Sequence, residues 1–199
     1  MDCHTPFYRE IFSIPGFVAE PFLMIGYQVI LGEALPEDFD FEDMKQLLHA
    51  KGLADVRAID LFDERAELKY DLNSPVPRIE WERYRTVCDI GTLEHLFDTR
   101  QCMENCMRMV EPGGRYFLHT PVRGYDRHGL HTFNPELIVE AFRLNMFELE
   151  YLKYSSRNGE PIDAVQHADS TLIWIVGRKT ASLDTFQVPQ QRRYTRARR

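Results

Sequence analysis

Apolar positions along the chain follow two rhythms. Short continuous apolar runs alternate with stretches where apolar residues recur every three or four positions. The first run, residues 21–28, holds Phe22, Leu23, Met24 and Ile25 and ends on Gly26, as suits a buried strand entering a turn. Residues 41–50 place Met44, Leu47 and Leu48 at helical spacing, with Asp40 as expected N-cap and Gly52 as stop. Further strands are expected at 55–62, 67–72 and 85–90, with the proline-rich 74–77 left irregular. A helix at 99–110 turns Cys102, Met103, Cys106, Met109 and Val110 to one face and is stopped by residues 111–114, Glu-Pro-Gly-Gly. A strand follows at 115–121. The next helix starts at Asn134-Pro135, Asn as cap and Pro in the first turn, with Leu137, Ile138, Ala141 and Phe142 as its apolar face. Two β-rich runs, 147–155 and 170–178, close the series, and the chain can turn back at 157–160.

Alternation of this kind predicts an α/β fold: a doubly wound, mostly parallel seven-stranded sheet with helices on both faces. Residues 1–20, with Phe7, Tyr8, Phe12 and Phe17 among prolines, read as an N-terminal arm or lid. Residues 21–180 form the domain. Residues 181–199 read as a basic C-terminal tail expected to be disordered.

At 199 residues and 44% apolar, the chain can bury one sizeable core. No apolar run reaches the ~18 residues of a membrane helix. The first thirty residues carry Asp2, Glu10 and Glu20 and lack the pattern of a secretion signal, so the cytoplasm is the expected location. Cys3, Cys88, Cys102 and Cys106 form no CxxC pair and read as small buried residues in a reducing compartment. Net charge is −7 although residues 191–199 hold five arginines, so the body is acidic. That argues against a nucleic-acid partner except through the tail.

Three segments carry a resemblance. Residues 88–95 read Cys-Asp-Ile-Gly-Thr-Leu-Glu-His, and residues 109–118 read Met-Val-Glu-Pro-Gly-Gly-Arg-Tyr-Phe-Leu. Residues 56–60, Val-Arg-Ala-Ile-Asp, are followed by Tyr-Asp-Leu-Asn at 70–73. Together they resemble the fourth strand and loop, the turn into strand five, and the second and third strands of class I S-adenosylmethionine-dependent methyltransferases. The resemblance spans roughly residues 22–179 and is nearest to small-molecule or sugar-pathway members with a G-T-x-E-H-x-F loop. It implies a Rossmann-like methyltransferase fold and S-adenosylmethionine as cofactor. Implied cofactor contacts are Gly26, Tyr27, Gln28, Asp60 with Leu61 for the ribose, Asp71 with Leu72 for adenine, and Gly91 and Thr92. A carboxylate at Asp60 suits two hydroxyl donors. One departure stands out: where the family carries acid-x-Gly-x-Gly-x-Gly, this chain has Met24-Ile25-Gly26-Tyr27-Gln28.

Ligands of such sheets bind beyond the strands' carboxyl ends, so loops there are the candidates for chemistry. Glu94, His95, His119 and His128 are the candidate catalytic residues, and Arg123, Tyr125, Arg127 and His131 the candidate substrate-binding residues. Imidazole suits proton transfer near neutral pH, and arginine suits an anionic group. Converging histidines also invite a metal hypothesis, but no pair has i, i+4 spacing and no residue is assigned as a metal ligand. The leading expectation is a methyltransferase acting on a small molecule. Two alternatives stay open: a methyltransferase-like partner or scaffold without cofactor binding, and a different enzyme using the histidine-rich loop, with or without a metal.

Overall fold

The structure is a computed structural model and describes residues 5–29, 41–163 and 169–190. In chain order the main elements are α1 (Thr5–Phe12), β1 (Phe22–Ile25), α2 (Met44–Ala50), β2 (Val56–Ile59), β3 (Tyr84–Ile90), α3 (Thr99–Met109), β4 (Val110–Arg123), α4 (Pro135–Leu144), β5 (Phe147–Ser155) and β6 (Thr171–Lys179). Among the described residues, six strands form one sheet in the order β2-β1-β3-β4-β6-β5. Pairings β1–β2, β1–β3 and β3–β4 are parallel, whereas β4–β6 and β5–β6 are antiparallel. The doubly wound α/β class holds; the strand count and the parallel share are lower than expected.

The missing strand is the one expected at 67–72. Leu68 makes a single parallel bridge to Ile59, with Leu68 N–H donating to Ala58 O and Asp60 N–H to Leu68 O. The next ladder position is taken by a side chain: Ala58 N–H donates to Glu67 Oε2 at 2.9 Å. A carboxylate has replaced the backbone carbonyl, and pairing stops there. Beyond it, Asp71 Oδ1 accepts from the Asn73 amide at 2.9 Å and turns the chain away.

Both sheet faces are covered. On one, α1 and α2 bring Phe7, Tyr8, Ile11, Met44 and Leu48 onto Met24, Phe117 and Trp174. Phe7 stacks on Trp174 at 5.0 Å between ring centroids, so the amino-terminal arm is part of this core. On the other, α3 and α4 bring Cys102, Cys106, Met107, Ile138 and Phe142 onto Leu23, Val87, Tyr116 and Leu118. The strands alternate between these cores, Tyr116 and Leu118 against Phe117, as period-two geometry demands.

Boundaries moved for local reasons. Asp43 caps α2, accepting from Gln46 N–H at 2.8 Å, so the helix starts at Met44 rather than at 41; Asp40 lies outside the described residues. β4 already begins at Val110 and runs through the Glu111–Gly114 segment expected to separate helix from strand. Leu137 is 41% exposed, so the buried face of α4 is Ile138, Ala141 and Phe142. Residues 181–190 run along the body, where Leu183 and Phe186 are buried and Arg108 Nη1 donates to Leu183 O at 2.7 Å. Residues 191–199, the arginine-rich end, lie outside the described residues. Among the described residues no helix is long and apolar enough to cross a membrane.

Candidate functional site

Strand order reverses at β1: the chain leaves it for β2 on one side and later returns to β3 on the other. Open α/β sheets bind ligands in the crevice at such a switch point. Gly26 ends β1 there with φ +76°, and a Cβ on it would stand 2.7 Å from Thr92 Oγ1. Only glycine satisfies both constraints. Thr92 in turn donates through Oγ1 to Ile25 O at 2.7 Å and through its amide to Asp89 Oδ1 at 2.8 Å, tying the β3 loop to the end of β1.

Asp60 sits just beyond β2. Its Oδ2 accepts from the Tyr27 amide at 3.0 Å, and its Oδ1 from the Phe62 and Asp63 amides at 2.9 and 3.0 Å. Burial pushes this carboxyl up, but the three amides outweigh burial and hold it below the usual carboxylate range. It is therefore an ionised acceptor beyond the carboxyl end of β2, and Oδ2 accepts only this one bond from the described residues. Leu61 beside it is 45% exposed and offers an apolar surface. Asp71 is exposed, and Leu72 is buried in the core.

Tyr27 and Gln28 follow Gly26, and both side chains are held by contacts of their own. Tyr27 Oη donates to Asp43 Oδ2 at 3.0 Å, and the Arg65 guanidinium lies 4.0 Å over the Tyr27 ring. Gln28 is buried, and its Nε2 donates to Ile25 O at 3.3 Å and Cys88 O at 3.1 Å, spanning β1 and β3.

The loop after β3 makes a 3-10 turn, Leu93–His95, and buries Glu94 almost completely. Glu94 Oε2 accepts from Thr120 Oγ1 at 2.9 Å, while Oε1 faces His128 Nε2 at 3.6 Å. The segment after β4 folds over this turn: Leu130 and His131 amides both donate to Glu94 O, at 2.8 and 3.1 Å. A Cβ on Gly129 would lie 2.9 Å from Glu94 O, so the two loops touch backbone to backbone. Glu94, His95 and His128 thereby converge, with ring centroids of the two histidines 5.3 Å apart. Desolvation raises the Glu94 carboxyl above its ordinary value, against the Thr120 hydroxyl and the two imidazoles. Beneath the turn, Asp89 is fully buried; burial first, then the nearby Glu94 charge, lift its pKa to about 8, against amide bonds from Thr92 and Leu93.

His119 does not join this cluster. Its neighbour Thr120 points to Glu94, so His119 points through the other face of β4, where its ring lies 3.9 Å from Trp174. Tyr125 packs edge-on against the His128 ring at 5.5 Å, and Arg157 lies 5.9 Å over the Tyr125 ring. His131 stacks on Phe133 at 5.8 Å. Arg123 and Arg127 are exposed at the rim. Thr120, Asp89 and Gly129 lay in segments the sequence singles out but had no role assigned there. Strand parity opposite His119 would have found Thr120, whereas Asp89 and Gly129 become visible only once the loops are stacked.

No protein-family model matches the sequence, and no curated protein matches it. Solved structures match its fold. An S-adenosylmethionine-dependent methyltransferase from Mesorhizobium loti superposes with a TM-score of 0.60 at 13% identity, over 89% of this chain and 98% of that one. A methyltransferase from Methanosarcina mazei gives 0.56 at 13% identity, over 91% and 100%. The 1,6-didemethyltoxoflavin-N1-methyltransferase of Burkholderia thailandensis, solved with 1,6-didemethyltoxoflavin and S-adenosylhomocysteine, gives 0.55 at 14% identity, over 90% and 79%. The chain thus has the fold of these S-adenosylmethionine-dependent methyltransferases, with six strands in its sheet among the described residues.

Proposed function

We propose that the chain is an S-adenosylmethionine-dependent methyltransferase acting on a small molecule. The observation that carries this reading is the ionised Asp60 carboxylate beside Gly26 at the switch point between β1 and β3. The residues fit the cofactor. Asp60 Oδ2 can accept from ribose hydroxyls, Leu61 offers an apolar face to the purine, and Asp71 is exposed for its amino group. Gly26, Tyr27, Gln28, Gly91 and Thr92 would line the methionine end, and Leu72 would support the adenine loop from the core. Bound there, the cofactor supplies a methyl group already activated as a sulfonium, so alignment is most of the work left to the protein.

Glu94, His95 and His128 lie past the end of β3, where an acceptor molecule would meet the donor. Glu94, His95 and His128 would face the hydroxyl or amine of that acceptor. Arg123, Tyr125, Arg127 and His131, on the loop above, would hold the rest of the substrate. His119 would act only from across the sheet, through packing on Trp174. The described part of the arm, residues 5–20, serves as structural cover and candidate lid. The relative with bound 1,6-didemethyltoxoflavin supports a small-molecule acceptor.

A second reading rests on Gln28 and Tyr27. Their side chains are bonded to Asp43, Ile25 O and Cys88 O around the end of β1, which favours a methyltransferase-like partner protein that has given up the cofactor. Calorimetric titration with S-adenosylhomocysteine separates the two. Saturable binding that Asp60→Ala weakens at least about tenfold, a loss of ~1.4 kcal/mol, supports the enzyme. Absence of heat at millimolar ligand supports the partner protein.

A further inference from the structure

The loops at the end of β3 and β4 assemble a constellation that alignment of methyl donor and acceptor does not by itself require. One oxygen of Glu94 and one ring nitrogen each of His95 and His128 lie within 4.8 Å of one another. The Glu94 Oε1 to His128 Nε2 separation, 3.6 Å, is too long for a hydrogen bond. It is close to the spacing of about 3.3 Å between two ligand atoms that share a tetrahedral ion at ~2.0–2.1 Å. We propose that Glu94, His95 and His128 form a binding site for a divalent first-row transition ion, with zinc as the expected occupant.

Four features distinguish a built site from a chance grouping. Glu94 is 1% exposed although it is a carboxylate, and its second oxygen is fixed by the Thr120 hydroxyl at 2.9 Å. That bond leaves Oε1 as the ligand atom and sets its direction, as second-shell donors do in metal sites. His128 follows Arg127, whose φ of +66° is a left-handed conformation that a non-glycine residue adopts at a cost. The turn that presents His128 is pinned by the Leu130 and His131 amides on Glu94 O. Both imidazoles are exposed, so the ion would be open to solvent on one side. Two histidines with one carboxylate is the donor set of catalytic sites that keep free positions, and two imidazoles favour a transition ion over magnesium or calcium. The open positions would take an anionic oxygen of a small molecule, beside the place proposed for methyl transfer. The ion site does not depend on Asp60 or Gly26, so it stands whether or not the chain binds S-adenosylmethionine.

Cobalt titration tests this directly, because Co²⁺ substitutes for zinc and reports its ligands in the visible spectrum. The full chain, stripped with chelator, is expected to bind one equivalent of Co²⁺ with ligand-field bands that Zn²⁺ abolishes. His128→Ala, His95→Ala and Glu94→Gln should each weaken binding at least tenfold, and Thr120→Val, which removes only the orienting hydroxyl, about tenfold. His128 is exposed, so its alanine variant keeps the fold and remains informative if Glu94→Gln does not. His49→Ala, on α2, and Asp60→Ala should leave the titration unchanged. Absence of bands in the wild type would overturn the assignment, as would bands that survive both His95→Ala and His128→Ala or that vanish with His49→Ala.

Discussion

Replacing Gly26 with alanine tests the junction on which the candidate cofactor crevice depends. The backbone there has φ +76°, and the new Cβ would stand 2.7 Å from Thr92 Oγ1. Left-handed backbone costs an L-residue about 1–2 kcal/mol. The clash is relieved only if Thr92 swings away and gives up its 2.7 Å bond to Ile25 O. A hydrogen bond of this type contributes ~0.5–1.5 kcal/mol. Gly26→Ala should therefore destabilise the fold by about 2–3 kcal/mol. Thr92→Ala alone should cost ~1 kcal/mol, since Gln28 Nε2 still donates to Ile25 O. In the Thr92→Ala background the clash is gone, and Gly26→Ala should cost only the backbone contribution. The two changes should thus couple by about 1 kcal/mol in a double-mutant cycle. Urea unfolding followed by circular dichroism gives all four stabilities at neutral pH. Additivity within ~0.3 kcal/mol, or a Gly26→Ala loss under ~0.5 kcal/mol, would refute the close approach of the two loops.

Two further outcomes follow from the same geometry. Gly129→Ala should lift the β4 loop off Glu94, whose carbonyl would lie 2.9 Å from the new Cβ; amide exchange at Leu130 and His131 should then quicken about tenfold, and unchanged rates would mean that the loop is not seated on Glu94. Glu67 accepts from Ala58 N–H and pairs with Lys45; burial opposes its ionisation, yet Lys45 and that amide outweigh burial and lower its pKa. Its stabilising contribution is therefore full above the unfolded value of about 4.3 and is lost as pH falls through the lower folded value, so Glu67→Gln should flatten the acid side of the Tm–pH curve, and parallel curves between about pH 5 and pH 3 would contradict this.

Much of the fold was legible because burial writes it into the sequence. The runs at Phe22–Ile25 and Tyr84–Ile90 are almost wholly buried and could hardly be anything but central strands. The third strand misled because Glu67-Leu68-Lys69-Tyr70 alternates as an edge strand does, while the Glu67 carboxylate quietly takes over its partner's amide. Nothing in residue order signals that substitution. At the site, Gly26, Asp60 and Glu94 were legible from their places after strands, and His128 from its loop. That Glu94, His95 and His128 meet depends on Gly129 and the Glu94 carbonyl stacking two loops far apart in sequence. His119 lies apart from them for a simpler reason: the strand continues through it to Arg123, and parity turns it to the far face.

The central claim is that the crevice at Gly26 and Asp60 holds the methyl donor, and a crystal structure with S-adenosylhomocysteine tests it most directly. Electron density should place both ribose hydroxyls within hydrogen-bonding distance of the Asp60 carboxylate, with the methionine end toward Gly26 and Thr92. Crystals soaked at millimolar ligand that show Gln28 still bonded to Ile25 O and Cys88 O, and no adenosine beside Asp60, would contradict it.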